Sequence, residues 1–378
     1  MSERHALLAA WDEARRLSQD ALLATVVRIE GSTYRRPGAR LLLVGDGRRV
    51  GSVSGGCLED EVARKAWWLT GDGPTVQRYS TREEDDGARF GSGCEGVVDV
   101  LLERLRGDGP PDAHLQLLAD CHRQRRAGAA AVVIGVGGDG GPNDGGAASR
   151  ARIGDRVLAG AGGAIERRCD DPGAAEAMVA GVESCLAARR SAQEERGGVV
   201  VFIEYIPPPR SIVVFGAGFD AMPVVRMASE LGWHVTVADG RADRARRERF
   251  PLADQVAAVD PARPLESVDV PEGAACVLMT HSADQDRALL AALAPLPLSY
   301  LGILGPRRRT EQLLRELGEA GRSAERPPRL HSPVGLDLGS ETPEEIALAI
   351  VAEIQASFAQ RDGRPLRDRA DGRIHTRA

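Results

Sequence analysis

Residues 212–221 read Ile-Val-Val-Phe-Gly-Ala-Gly-Phe-Asp-Ala, an apolar run that ends in G-x-G-x-x-A. Few backbones accept that pattern. Gly216 permits a tight turn out of a strand, and Gly218 lets N–H groups at a helix start approach a phosphate. Ala221 is small enough for the helix to pack closely on the sheet. Asp239 follows 23 residues after Gly216, at the end of the next β-rich run. Strand, turn, helix and acidic residue in this register predict a parallel unit of the Rossmann kind. An acidic Asp239 would accept hydrogen bonds from ribose hydroxyls and repel a 2′-phosphate. The plainer alternative is a scaffold or dimer platform without a nucleotide.

The same alternation continues downstream. Short β-rich runs at Ile212–Phe215, His234–Ala238, Gln255–Ala258, Ala275–Thr280 and Tyr300–Leu304 lie between helical patterns, which predicts an open parallel α/β sheet. Thr280-His281-Ser282-Ala283-Asp284 reads as a helix cap with an acidic first turn rather than as a catalytic histidine. Pro306 is placed to open a helix, with Arg307 and Arg308 in its first turn. The helix dipole disfavours cations there, so these arginines point to an anion site more than to a solvated turn. His331–Asp337 forms one more loop at the same sheet end, and Thr342-Pro343-Glu344-Glu345 is a capping box that opens a helix through Ala356.

The first 206 residues read differently. Ala6, Leu7, Ala10, Trp11, Ala14 and Leu17 form a helical stripe within residues 2–18, and Leu22–Ile29, Arg40–Val44 and Val97–Leu102 read as strands. Asp46-Gly47 marks a hairpin, Leu58–Leu69 a helix, and Asp85–Gly96 a loop. Much of this recurs 107 positions later: Ala24 and Val26 match Ala131 and Val133. Gly47, Arg49, Val50, Gly55, Gly56 and Glu59 match Gly154, Arg156, Val157, Gly162, Gly163 and Glu166. In that ungapped comparison Cys57 becomes Ala164. A later strand echoes separately, Gly96-Val97-Val98 against Gly198-Val199-Val200, with Gly93-Cys94 just upstream in the first copy and Glu195-Arg196 in the second. A thiol kept in only one of two like frameworks is hard to explain by packing, which makes Cys57 and Cys94 the first functional suspects.

The expected organisation is therefore a duplicated N-terminal domain over 1–206, with halves of about 20–105 and 128–205. A proline linker follows at 207–210, then a Rossmann-like domain over 211–357 and a disordered tail over 358–378. Residues 137–149 (GGDGGPNDGGAAS) are a low-complexity loop inside the second half. Net charge is −6, which gives no argument for nucleic acid or an anionic membrane. No apolar run reaches the roughly 18–20 residues of a membrane span, and the charged N-terminus lacks a cleavable apolar region, so the expected location is cytoplasmic. None of the six cysteines forms a C-x-x-C pair.

At the stretches Glu30-Gly31-Ser32-Thr33-Tyr34-Arg35-Arg36-Pro37-Gly38-Ala39, Gly51–Glu59, the GAGFDA turn, Leu304–Arg309 and Ser332–Asp337, the chain resembles the XdhC/CoxI family of molybdoenzyme maturation factors. The resemblance implies an N-terminal α+β XdhC domain and a C-terminal Rossmann domain in a homodimer. It also implies a chaperone, rather than a turnover enzyme, that binds molybdenum cofactor (a molybdopterin, with or without an added nucleotide). Such a chaperone holds the cofactor while it gains a sulfido ligand, with a cysteine desulfurase or sulfurase as partner, and delivers it to an apo xanthine dehydrogenase-type hydroxylase. Phe219 stands where many relatives have histidine, and Gly91–Gly96 departs from the commoner G-C-G-G form. The expected cofactor-binding residues are Cys57, Cys94, Gly55, Gly56, Arg35, Arg36, Gly216, Gly218, Phe219, Asp239, Arg307 and Arg308. Cys57 and Cys94 are the soft candidates for molybdenum. At a helix N-terminus the Cys57 thiolate would be favoured by the dipole and exposed amides. Arg40 is a further phosphate candidate, and Tyr34 a stacking one. The rival reading is an NAD-dependent oxidoreductase with NAD or another nucleotide in the Rossmann cleft, and a third is a docking protein that holds no cofactor.

Overall fold

The computed structural model describes residues 2–31, 33–56, 58–80, 96–136, 150–160, 162–196, 198–319, 327 and 329–369. Cys57, Cys94 and the 137–149 stretch lie outside these. The chain divides into two compact units, Glu3–Pro208 and Pro209–Ala378 with Met1–Ser2.

The first unit runs α1 (Glu3–Arg16), β1 (Ala21–Gly31), β2 (Arg40–Val44), β3 (Arg49–Gly51), α2 (Glu59–Leu69), β4 (Thr75–Ser80), β5 (Gly96–Leu105) and α3 (Ala113–Gln124). It continues with β6 (Gly128–Val136), β7 (Arg156–Ala159), β8 (Ile165–Arg168), α4 (Pro172–Ala188), β9 (Ala192–Arg196) and β10 (Val199–Ile206). Two five-stranded sheets result, ordered β3-β2-β1-β5-β4 and β8-β7-β6-β10-β9. The order is the same in both, so the internal duplication is a duplication of fold.

Side-chain alternation along each strand assigns the layers. Leu22, Ala24 and Val26 pack with Val62 and Ala66 of α2, while Ala129, Ala131 and Val133 pack with Met178 and Val182 of α4. The intervening residues face inward. Leu23, Leu42, Ala130 and Leu158 join the stripe of α1 and Leu115, Leu118 and Cys121 of α3, and Val27, Leu101, Val132, Ile134 and Phe202 fill the rest.

Hydrogen-bond register corrects the ungapped sequence comparison. Leu23 faces Leu42, and Ala130 faces Leu158. Both first strands carry an irregularity at the same place, with Val27 and Ile134 skipped in the pairing. Arg156 therefore occupies the place of Arg40, not of Arg49. Gly154 corresponds to Gly38: both have φ +93°, and their amides donate to Val133 and Val26. By the same register Gly163 answers Gly47 in the hairpin turn. The β1 and β6 matches stand. The glycine and arginine matches after them were coincidences, because the connection from β6 to β7 is longer than that from β1 to β2.

A consequence of this register is a crossed pair of buried ion pairs. Glu103 pairs with Leu23 and Glu204 with Ala130, so the two glutamates are also counterparts. Arg40 of the first half binds Glu204 of the second, and Arg156 of the second binds Glu103 of the first. His114 Nε2 lies 2.9 Å from both Arg40 Nη2 and Glu204 Oε2, and Arg156 also lies near Asp112. Burial works against the Glu204 charge, but Arg40 and His114 outweigh it and hold the carboxyl well below its usual range.

The second unit contains β11 (Ser211–Phe215), α5 (Ala221–Glu230), β12 (His234–Asp239), β13 (Gln255–Ala258), β14 (Ala275–Leu278), α6 (Ala283–Leu293), β15 (Tyr300–Ile303), α7 (Arg307–Glu319), β16 (Leu330–His331) and α8 (Pro343–Phe358). Its six strands are parallel, in the order β13-β12-β11-β14-β15-β16. That is the Rossmann order, with the reversal between β11 and β14. The Thr342–Glu345 capping box forms, and α8 runs two residues past Ala356 to Phe358. Phe358, the first residue of the expected disordered tail, stands edge-on to Trp233 at 5.2 Å and beneath the Arg210 guanidinium. Among the described residues, no helix is long and apolar enough to cross a membrane.

Candidate functional site

In the first unit, one carboxylate organises the loop from β3 to α2. Glu59 Oε1 accepts from Ser52 Oγ (2.7 Å), Val53 N (3.0 Å) and Ser54 N (2.9 Å). Its Oε2 accepts from Ser54 Oγ (2.7 Å) and Gly56 N (3.0 Å), and Leu58 N donates to Ser54 Oγ (3.2 Å). Burial opposes the Glu59 charge, but the two hydroxyls and the loop amides hold its pKa down to about 2. The carboxylate thus fills a nest of donors that would otherwise suit an anion.

This changes the reading of the thiol position. The amides on either side of residue 57 are already bonded, to Glu59 and to Ser54, and Glu59, Asp60 and Glu61 make the first turn of α2 acidic. Cys57 and Cys94 themselves lie outside the described residues. Gly55 and Gly56 are exposed, and the Tyr34 ring lies against Gly55 while remaining 69% exposed. Arg35 is engaged: its Nε donates to Ser52 O at 3.0 Å and its guanidinium pairs with Glu3. Arg40 is buried on Glu204 and is not a free phosphate ligand. Arg36 is exposed, and among the described residues its side chain has no hydrogen bond or ion pair. The second half has no comparable loop, because Asp171 caps α4 directly by accepting from Ala174 N.

In the second unit the candidate site is the carboxyl edge of the parallel sheet. A Cβ on Gly216 (φ +124°) would sit 2.2 Å from Met279 O, so the turn requires glycine. Asp239 ends β12 with its carboxylate fully engaged. Oδ1 accepts from Arg241 N and Nε, both at 2.8 Å, and Oδ2 from Ala217 N at 2.6 Å and Arg241 Nη2 at 2.8 Å. A carboxylate has about four acceptor positions. None is left here for a ribose hydroxyl, contrary to the role expected from sequence. The adjoining cavity between Gly240, Pro261, Gln285 and Leu289 is about 10 Å³, room for about one water.

Toward the other side of the strand-order reversal lie Phe219, 70% exposed, and Asp220, whose Oδ2 is 2.9 Å from His281 Nε2. Ser282, not His281, caps α6. At the end of β15, Arg307 and Arg308 are exposed, whereas Arg309 is committed to Asp286 at 2.6 Å. Asp286 is buried and also accepts from Thr280 Oγ1, and burial pushes its carboxyl above the usual range. Beyond these, Glu353 of α8 accepts from Tyr300 OH, His331 Nδ1 and Gly335 N, which ties the His331–Asp337 loop to the domain.

Glu59 and Arg241 were not singled out from sequence as structural centres. The signals were there, a glutamate just after G-G-C and an arginine two residues after Asp239, but neither spacing says where the side chain points. The described residues contain no cluster of three or more metal-ligating side chains. Cys121, Cys185 and Cys276 are buried, and burial raises all three thiol pKa values, Cys121 and Cys185 to about 11.

A duplicated antiparallel unit followed by a Rossmann unit with a glycine turn defines a two-part architecture shared with known proteins. Residues 212–354 match the XdhC Rossmann domain, and residues 14–80 match the XdhC and CoxI family. The chain is 32% identical over 358 residues to a protein of Bacillus subtilis (strain 168) named as a probable xanthine dehydrogenase subunit, covering 94% of this chain and 97% of that one. It belongs to the XdhC and CoxI family. It is 24% identical over 351 residues to the molybdenum cofactor insertion chaperone PaoD of Escherichia coli (strain K12), covering 90% of this chain and 85% of that one. A crystal structure described as a xanthine dehydrogenase from Bacillus halodurans superposes with a TM-score of 0.70 at 27% identity, covering 97% of this chain and 99% of that one.

Proposed function

We propose that this protein is a carrier for molybdenum cofactor that supports maturation of a xanthine dehydrogenase-type molybdenum hydroxylase. The observation that carries the reading is similarity over nine-tenths of the chain to a protein named as a molybdenum cofactor insertion chaperone. The cargo is a pterin dithiolene with a phosphate, and it needs soft donors, a phosphate contact and a loop held ready for it. The exposed Gly55-Gly56 loop fixed by Glu59 supports the third requirement, and the second is supported by exposed Arg36 in the same unit or, as a separate candidate, by Arg307 and Arg308 in the other. Cys57 and Cys94 remain the proposed soft donors. On this reading the carrier is cytoplasmic and dimeric, and it holds the cofactor while a partner sulfurase supplies the sulfido ligand.

The NAD-dependent oxidoreductase reading is weakened by the filled acceptor positions of Asp239. The test is to purify the protein from cells that make the cofactor and assay the eluate for molybdenum and pterin. Incubation with apo-hydroxylase should restore its activity. Stoichiometric pterin with transfer supports the carrier; a pterin-free protein that turns over NAD would replace it. Replacing both Cys57 and Cys94 by alanine with unchanged cofactor binding would remove the thiol role.

A further inference from the structure

Four features at the carboxyl edge of the parallel sheet work against local stability rules. Asp220 occupies the position before α5 but makes no side-chain capping bond. Phe219 beside it is 70% exposed, so its ring contributes little to the core. Arg307 and Arg308 lie in the first turn of α7, where the dipole opposes positive charge, and neither has an ion-pair partner among the described residues. Breaches of local preference that no packing repays collect at functional sites.

The geometry points to a pterin phosphate lying across this edge, a proposal that rests on the carrier reading above. Asp220 and Phe219 would hold the pterin end, and Arg307 and Arg308 the phosphate end. The amidine edge of a pterin presents two adjacent N–H donors, at N3 and the 2-amino group, which match the two oxygens of a carboxylate. Asp220 Oδ2 takes one hydrogen bond from His281 Nε2 at 2.9 Å, which orients the group and leaves most of its acceptor capacity open. The carboxylate lies close against Gly218, since a Cβ there would sit 2.3 Å from Oδ1. The exposed Phe219 ring offers a face for stacking. In the sheet order β11-β14-β15 the glycine turn and the start of α7 leave strands two spacings apart, about 10 Å, which is of the order of a pyranopterin's length from ring to phosphate. An adenine dinucleotide fits less well. It would need Asp239, whose acceptor positions are filled, and would bring a diphosphate against the Asp220 carboxylate.

The probes are neopterin monophosphate, neopterin and inorganic phosphate, titrated into the full-length protein and followed by pterin fluorescence. Wild type should bind the phosphorylated pterin best, with phosphate as a weak competitor. Asp220→Asn and Phe219→Ala should each weaken both pterins by about tenfold while leaving phosphate competition in place, the first through loss of a charged hydrogen-bonded contact and the second through loss of the stacking face. A double Arg307→Ser, Arg308→Ser variant should weaken only the phosphorylated probe. Melting temperatures should stay close to wild type for all, since Phe219, Arg307 and Arg308 are exposed and the one side-chain bond of Asp220 is to the exposed His281. Equal binding of neopterin monophosphate by wild type, Asp220→Asn and Phe219→Ala would overturn the site, as would no binding by wild type. If wild type purified from cells still carries molybdenum cofactor in either case, the carrier reading stands and only this placement falls.

Discussion

At the scale of single residues, Glu59 is the side chain on which the first unit's exposed loop depends. Its folded pKa of about 2 lies below the ordinary 4.5, so its stabilisation is complete above that value and drains away as pH falls from 4.5 toward 2. The shift corresponds to ~3 kcal/mol at neutral pH. Glu59→Gln places an amide donor against donors and should lower unfolding stability by about 2–3 kcal/mol at pH 6.5, with a smaller gap at pH 3. Urea denaturation of both proteins at the two pH values measures it; a gap that does not narrow in acid would contradict the ionic role. Thiols give a second expectation. Cys121, Cys185 and Cys276 should resist iodoacetamide in the native protein at pH 7.5 and react fully in urea, as read by peptide mass spectrometry. The roles of Arg40 and Glu59 were poorly legible for different reasons. Arg40 finds a partner 164 residues away, beyond any local pattern, while Glu59 lies in a recognisable motif but points backward into the loop.

At the scale of elements the sequence was more readable. The Arg40–Val44 strand has the bounds expected from its apolar run, and the capping box sits where Thr342 and Glu345 placed it. These are local signals, written in adjacent side chains. Sheet register is not local. It is fixed by hydrogen bonds between strands, which is why repeated glycines and arginines aligned the hairpin of the second half wrongly. The glycine turn after β11 was legible because its geometry leaves so few residues that fit. Gly216→Ala must push the backbone of Met279 aside at a positive φ, and a loss of about 2–4 kcal/mol is expected. Thermal unfolding monitored by circular dichroism would test this, and a loss under 1 kcal/mol would mean that the turn is softer than it looks. The companion residue Asp239 was legible in position but not in use, since Arg241 occupies the acceptor positions that a nucleotide ribose would need.

At the scale of the molecule, each unit has its own buried cores: those of the first lie wholly within residues 3–208 and those of the second within 209–369. Within the first unit the crossed pairs Arg40–Glu204 and Arg156–Glu103 link the two halves. Removing one member leaves a buried charge alone, so Glu204→Gln should cost about 3–5 kcal/mol, whereas replacing Arg40 and Glu204 together by Met and Leu should cost far less. Equilibrium unfolding of the three variants decides it, and equal losses in the single and the double variant would mean that the pair is not coupled. The crossing itself has a consequence for symmetry. When an arginine of each copy reaches the glutamate of the other, the contact has the isologous form found where two identical chains meet about a twofold axis. The first unit thus carries, inside one chain, the contact pattern of a twofold interface, and only its first half adds to that pattern a glycine loop clamped by its own glutamate.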